Sequence, residues 1–168
     1  MSRLSRRELE AGASEAIRAW QYDQDLFDEA AAAYAGLNRT DMRVVDLVDR
    51  AGRMTAGEIA TRARLSSGAV TAVIDRLEAV GFVRRVRDTA DRRRVLVETT
   101  PLVMERMGPV YGPVAEEGYR EMATYSDDEM DAIGKFLERN REFLARHTAR
   151  IHGLIAERDA AARREAKD

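Results

Sequence analysis

Leu65-Ser66-Ser67-Gly68-Ala69-Val70-Thr71-Ala72-Val73-Ile74-Asp75-Arg76-Leu77-Glu78-Ala79-Val80-Gly81-Phe82-Val83-Arg84-Arg85-Val86-Arg87 is the stretch on which the fold turns. Val70, Val73, Ile74, Leu77 and Val80 recur at spacings of three and four, which places them on one face of a helix. Ser67, Gly68, Thr71, Asp75 and Arg76 occupy the other faces, and Gly81 stands where a left-handed residue commonly ends a helix. Past Gly81 the period changes. Val83–Arg87 and Val95–Thr99 are rich in β-branched residues, and the polar loop Asp88–Arg94 separates them. That pattern predicts a hairpin with a long basic tip.

Upstream, Thr55-Ala56-Gly57-Glu58 has the spacing of a capping box, followed by a short helix with Ile59 and Ala60 that runs to about Ala63. Thr40 is the expected N-cap of a helix carrying Met42, Val45, Leu47 and Val48 and closed by Gly52. Residues 5–36 hold no proline, and Ile17, Trp20, Phe27, Ala30, Ala31 and Tyr34 recur at helical spacing. One helix about 45 Å long is expected there, ended by Gly36-Leu37-Asn38. Downstream, Thr100-Pro101 reads as an N-cap followed by proline at the first helical position. Pro109 and Pro113, with Gly108 and Gly112, predict a kink or interruption. Ser126-Asp127-Asp128-Glu129 is a second capping box. It opens a long amphipathic helix with Ile133, Phe136, Leu137, Phe143, Leu144, His147, Ile151, Leu154 and Ile155. The polar end, Glu157–Asp168, is expected to fray.

The whole chain is 168 residues, one domain's worth, with 45% hydrophobic and 35% charged residues, a balance that suits long helices with one wet face. It has no cysteine, which excludes disulfides, thiolate metal sites and a thiol redox switch. No apolar run is long enough for a membrane helix, and Met1–Glu10 carries acids and arginines where a signal peptide has an apolar core. A soluble cytoplasmic protein with no membrane partner is expected. Asn38-Arg39-Thr40 matches a glycosylation sequon and is read as coincidence. The net charge of −2 conceals an uneven distribution. Residues 62–95 hold nine arginines (Arg62, Arg64, Arg76, Arg84, Arg85, Arg87, Arg92, Arg93, Arg94) against Asp75, Glu78, Asp88 and Asp91, a local charge of +5 between acidic flanks. Such asymmetry points to a polyanion.

Long helix, helix, short helix, turn, helix and two-stranded hairpin is the plan of a winged helix-turn-helix. The predicted fold class is mostly α with a small β-hairpin wing, flanked by N- and C-terminal dimerisation helices. The helix from Ser66 opens on small residues whose free N–H groups favour phosphate, and the arginines of the hairpin tip suit a narrow minor groove. Residues 40–100 also resemble the MarR family of bacterial transcription regulators. The matching stretches are Met54-Thr55-Ala56-Gly57-Glu58-Ile59-Ala60, Leu65-Ser66-Ser67-Gly68-Ala69-Val70-Thr71, Asp75-Arg76-Leu77-Glu78-Ala79-Val80-Gly81-Phe82-Val83 and Asp91-Arg92-Arg93-Arg94-Val95-Leu96-Val97. The resemblance implies one MarR-like domain over residues 1–168, with a DNA-binding unit at 38–100 and helical dimerisation regions at 1–37 and 101–168. It makes Ser66, Ser67 and Thr71 the groove-facing start of the recognition helix and puts Arg76 near a phosphate. Arg93 becomes the minor-groove arginine at the wing tip, next to Arg92 and oriented by Asp91. The sequence departs from the family at Ala72, where many members carry a larger polar side chain, and at Thr89-Ala90, which lacks the usual wing proline.

Simpler readings stand beside these. The arginine-rich loop can be an ordinary solvated face, Asp91 can merely relieve arginine repulsion, and Arg76 can pair with Asp75 or Glu78. The terminal helices can pack within one chain, although their stripe exceeds what one small core needs, which favours a homodimer on an inverted repeat of double-stranded DNA. The resemblance implies a small aromatic or phenolic effector. Trp20, Tyr22, Tyr111, Tyr119, Met104, Met107 and Met122 are candidate pocket residues, each equally at home in a core. His147 and His152 lie five apart and do not share a helix face, so no metal site is expected. No phosphate loop or nucleophile elbow is present, so neither catalysis nor a cofactor is expected. The expectation is a sequence-specific DNA-binding regulator, a dimeric repressor relieved by an effector. The alternative is a winged-helix protein-interaction module without specific DNA binding.

Overall fold

The computed structural model describes residues 4–165. Its elements are α1 (Arg6–Ala35), α2 (Arg39–Ala51), β1 (Met54–Thr55), α3 (Ala56–Ala63), α4 (Ser67–Ala79), β2 (Val83–Arg87), β3 (Val95–Thr99), α5 (Pro101–Met122) and α6 (Asp127–Glu165). They form two compact units, Met1–Pro113 and Val114–Asp168.

In the first unit, α2, α3 and α4 meet around one core. Val44 and Val48 of α2, Ile59 of α3 and Val70, Ile74 and Leu77 of α4 are all nearly inaccessible to solvent, and Phe82 and Val83 close the core where the chain leaves α4 for the wing. The predicted apolar stripe of α4 is its buried face, apart from Val80, which caps the helix and is partly buried. The exit is sharply defined. Gly81 has φ +80°, and a side chain there would also crowd Leu102. Phe82 N–H donates to the Leu77 carbonyl, Thr100 N–H donates to the Phe82 carbonyl, and the Thr100 hydroxyl donates to the Gly81 carbonyl at 2.6 Å. Arg106 lies over the Phe82 ring, 5.7 Å from its centroid.

The hairpin has the predicted strands, antiparallel, with Arg85 opposite Val97 and Arg84 opposite Glu98. The sheet has a third strand that was not expected. β1 pairs with β3 (Met54 with Val97, Thr55 with Leu96), giving the order β1-β3-β2. Two residues are too few to show a period, and Thr55 carries a second role as N-cap of α3.

Several boundaries differ from expectation. The N-cap of α2 is Asn38, not Thr40; its side chain accepts from the Asp41 N–H at 2.9 Å and donates to the Asp41 carboxylate, so one amide serves both ends of the cap. α5 runs through Pro109 and Pro113 without interruption. The two prolines are four apart, so the carbonyls they leave unpaired, those of Glu105 and Pro109, fall on one exposed side where water reaches them. Gly108 and Gly112 precede each proline and have no Cβ to clash with its ring. α6 does not fray at Glu157 but continues to Glu165; the last part of the predicted frayed end, residues 166–168, lies outside the described residues. A third capping box, Ser5 with Glu8, opens α1.

The second unit holds the end of α5 and α6. None of the α6 apolar residues is buried: Phe136, Leu137, Phe143, Leu144 and Leu154 each keep about half of their surface exposed. Among the described residues no helix is long and apolar enough to cross a membrane.

Candidate nucleic-acid interface

The N-terminal end of α4 is held by Ser66, whose hydroxyl accepts from the Ala69 N–H at 3.2 Å. No acidic residue stands in the first turn, so the partial positive charge of the remaining N–H groups is left for an anion. Ser67, Gly68, Thr71 and Ala72 are exposed on the side away from the buried stripe. The Thr71 hydroxyl donates to the Ser67 carbonyl at 3.0 Å, which turns it back onto the helix backbone. A Cβ at Gly68 would meet nothing within 4 Å, so the fold itself does not require glycine there. The turn ahead of α4 is tight, with Arg64 in the left-handed region at φ 57°.

At the wing tip, Asp91 organises the loop. Its carboxylate accepts from both the Arg93 N–H (3.0 Å) and Arg93 Nε (3.3 Å), and its carbonyl accepts from the Arg94 N–H. Asp88 secures the other side, accepting from the Ala90 N–H at 2.8 Å and lying 3.7 Å from the Arg94 guanidinium. The Arg93 side chain is 92% exposed, so Asp91 aims a guanidinium that projects into solvent. Arg92 is exposed and shares a shallow cleft with Arg87, Asp88 and Thr89. Among the described residues, neither Arg87 nor Arg92 has a carboxylate within ion-pair distance.

Arg76 is placed differently from expectation. Its guanidinium forks onto Asp41, with Nη2 to Oδ1 at 2.7 Å and Nε to Oδ2 at 3.1 Å. Asp41 is 2% exposed and also bonded by Asn38. A buried carboxylate must be paired, and Arg76 is the cation one helix away that reaches it. The pairing holds the Arg76 guanidinium above its usual pKa through the hydrogen bond and charge of Asp41. Neither Asp75 nor Glu78 takes Arg76, because both are engaged by Arg85 from β2. Arg84 is likewise withdrawn. It pairs with Glu98, which also accepts from Arg53 at 2.6 Å and is 7% exposed. Asp41, Arg53 and Glu98 are thus structural partners that sequence reasoning did not single out. Asp41 and Arg76 are 35 residues apart, and nothing local marks such a pair.

The expected effector residues differ in their surroundings. Trp20, Tyr22, Tyr119 and Met104 are well exposed, Met122 is partly so, and Met107 is in the core. Tyr111 lines a cleft of ≈ 350 Å³ between α1, α2 and α5, together with Gln24, Asp28, Arg39, Arg43 and Asp46. Its ring meets Phe27 edge-on at 5.7 Å, and burial, reinforced by Asp28 and Asp46, pushes its phenol pKa up.

A family model described as MarR family matches residues 37–95, the span from the start of α2 to the wing. A relative in Bacillus subtilis strain 168, the uncharacterised HTH-type transcriptional regulator YcgE, is 34% identical over 150 residues, covering 89% of this chain and 97% of its own. The chain belongs to the MarR family. MarR proteins are DNA-binding transcription regulators rather than enzymes, and the winged-helix fold is shared with solved proteins at low identity. One is the YusO protein of B. subtilis (TM-score 0.58, 19% identity, 83% of this chain and 99% of that one). Another is a mutant of S. aureus MepR bound to an oligodeoxyribonucleotide (TM-score 0.52, 15% identity, 79% of this chain and 97% of that one).

Proposed function

We propose that this MarR-family chain is a cytoplasmic homodimeric repressor that seats on an inverted repeat of double-stranded DNA and is released by a small aromatic or phenolic effector. The observation that carries the DNA-contacting part is the wing tip: a guanidinium, Arg93, that is 92% exposed yet aligned by Asp91. An arginine that merely needed solvent would not be tethered, and one that merely needed a partner would not be left outside. Beside it, α4 presents Ser66, Ser67 and Thr71 at a helix N-terminus without carboxylates, suited to enter the major groove and meet phosphate. Arg92 and Arg87 supply unpaired positive charge for the backbone. Arg76 serves as a positioning residue, fixing α4 on α2 through Asp41.

In this reading residues 38–100 are the DNA-binding unit, and residues 1–37 and 101–168 make the dimer, which the half-exposed apolar stripe of α6 supports. The cleft beside Tyr111 supports an effector. Arg43 lines it without a carboxylate partner among the described residues, which suits an acidic group, and the phenol ring supplies an aromatic wall. Release follows if the effector binds better to a dimer whose half-site spacing mismatches DNA.

Mobility shifts on the DNA upstream of its own gene, across a salt series, test the proposal. If Arg87, Arg92 and Arg93 of each protomer displace counterions, log affinity should fall against log salt with a slope of about −5. Arg93→Ala should weaken binding at least tenfold and flatten that slope, whereas a salt-independent shift, or full affinity in the variant, rejects the wing as a DNA contact.

A further inference from the structure

Base pairs are distinguished in the major groove by two-pronged hydrogen bonds: arginine or lysine to guanine, asparagine or glutamine to adenine, a carboxylate to cytosine. The recognition helix α4 contains no asparagine, glutamine or lysine. Its three charged residues are already engaged, Arg76 by Asp41, and Asp75 and Glu78 by Arg85. What remains outward is small: Ser67 at the first position, then Gly68, Thr71 and Ala72. The Thr71 hydroxyl spends its donor on the Ser67 carbonyl, so past the Ser67 hydroxyl of the first turn the outward groups are the methyls of Thr71 and Ala72, and none of them can make a two-pronged contact. Methyl groups at close approach match one feature of the major-groove code, the C5-methyl of thymine.

We infer that α4 of this protein reads thymine methyl groups through Thr71 and Ala72, with no bidentate base contact of its own. The inference rests on the DNA-binding reading above. The test starts by selecting bound duplexes from random DNA with the full-length protein, then replaces thymine by uracil in the selected site. Each buried methyl contact is worth about fourfold in affinity, so the uracil duplex should bind at least fourfold more weakly. Thr71→Ser and Ala72→Gly each remove one methyl. They should bind the uracil duplex as the wild type does and lose about fourfold on the thymine duplex. A consensus that tolerates uracil, or one whose binding is abolished by 7-deazaguanine, overturns the inference and leaves the regulator proposal standing. Absence of any salt-sensitive DNA binding overturns both.

Discussion

At the residue scale, Gly68 shows the fold and the interface making opposite demands. A helical glycine costs up to about 1 kcal/mol relative to alanine, less near a helix end, and a Cβ at this position would find open space. Nothing in the monomer explains why alanine is not there. A phosphate or groove wall approaching the second residue of α4, as in the proposed complex, would explain it. Gly68→Ala is therefore expected to raise the melting temperature by a few degrees at most while weakening DNA binding about tenfold or more; a variant equally stable and equally tight on DNA rejects close approach at this turn. Residues of this kind were legible in the sequence because the signals are local. Thr55 announces a cap by its spacing from Glu58, and the pair forms the capping box of α3. Arg76 was not legible. An arginine on a recognition helix looks like a phosphate ligand until a carboxylate 35 residues away is brought beneath it, and Asp41 is itself buried by tertiary packing that no local pattern encodes.

At the scale of elements, the wing is anchored by charge rather than by apolar burial alone. β3 alternates a core residue, Val97, with Glu98, which faces the other side and takes Arg84 from the neighbouring strand and Arg53 from the segment before β1. Hydrogen bonding from Arg84, then from Arg53, holds the Glu98 carboxyl below the usual carboxylate range despite partial burial. A folded-state pKa below the unfolded one means that the stability Glu98 contributes is present above about pH 4.3, its unfolded value, and is lost as pH falls through the lower folded value. Glu98→Gln should thus lower the melting temperature at pH 7, and the gap to the wild type should narrow steadily once the solution is acidified below about pH 4.3. A gap of equal size at pH 7 and pH 3 rejects the ionic role. Glu58, drawn down by the Thr55 N–H and hydroxyl in its capping box, adds an acid-sensitive term of the same sign in both proteins and cancels from the comparison. The strands that carry this triad were readable from β-branched residues between turn signals, whereas β1 and the triad itself depend on which segments meet.

At the scale of the molecule, the charge of −2 is the sum of a basic centre and acidic flanks, and the structure reduces the centre further. With Arg76, Arg84 and Arg85 committed to carboxylates, the positive charge that can meet a polyanion is concentrated at the wing tip. In the proposed complex a single wing and one recognition helix would make only a small contact. Two copies held at a fixed spacing multiply it, because the second site binds at the effective concentration set by the first. In the proposed dimer the partner surface would be α6, where Phe136, Leu137, Leu144 and Leu154 are each about half exposed along 39 residues of helix. A solvent-facing helix gains nothing from such a stripe, and substitutions at a truly exposed position are worth within about 0.5 kcal/mol. Leu144→Arg therefore separates the two cases. On a free surface it leaves the melting temperature, the sedimentation coefficient and the DNA affinity where they were. At a two-fold seam it places two like charges in an apolar contact. The dimer should then dissociate at micromolar concentration, the melting temperature should drop and lose its dependence on protein concentration, and affinity for a paired site should fall about a hundredfold or more while binding to a lone half-site is little changed.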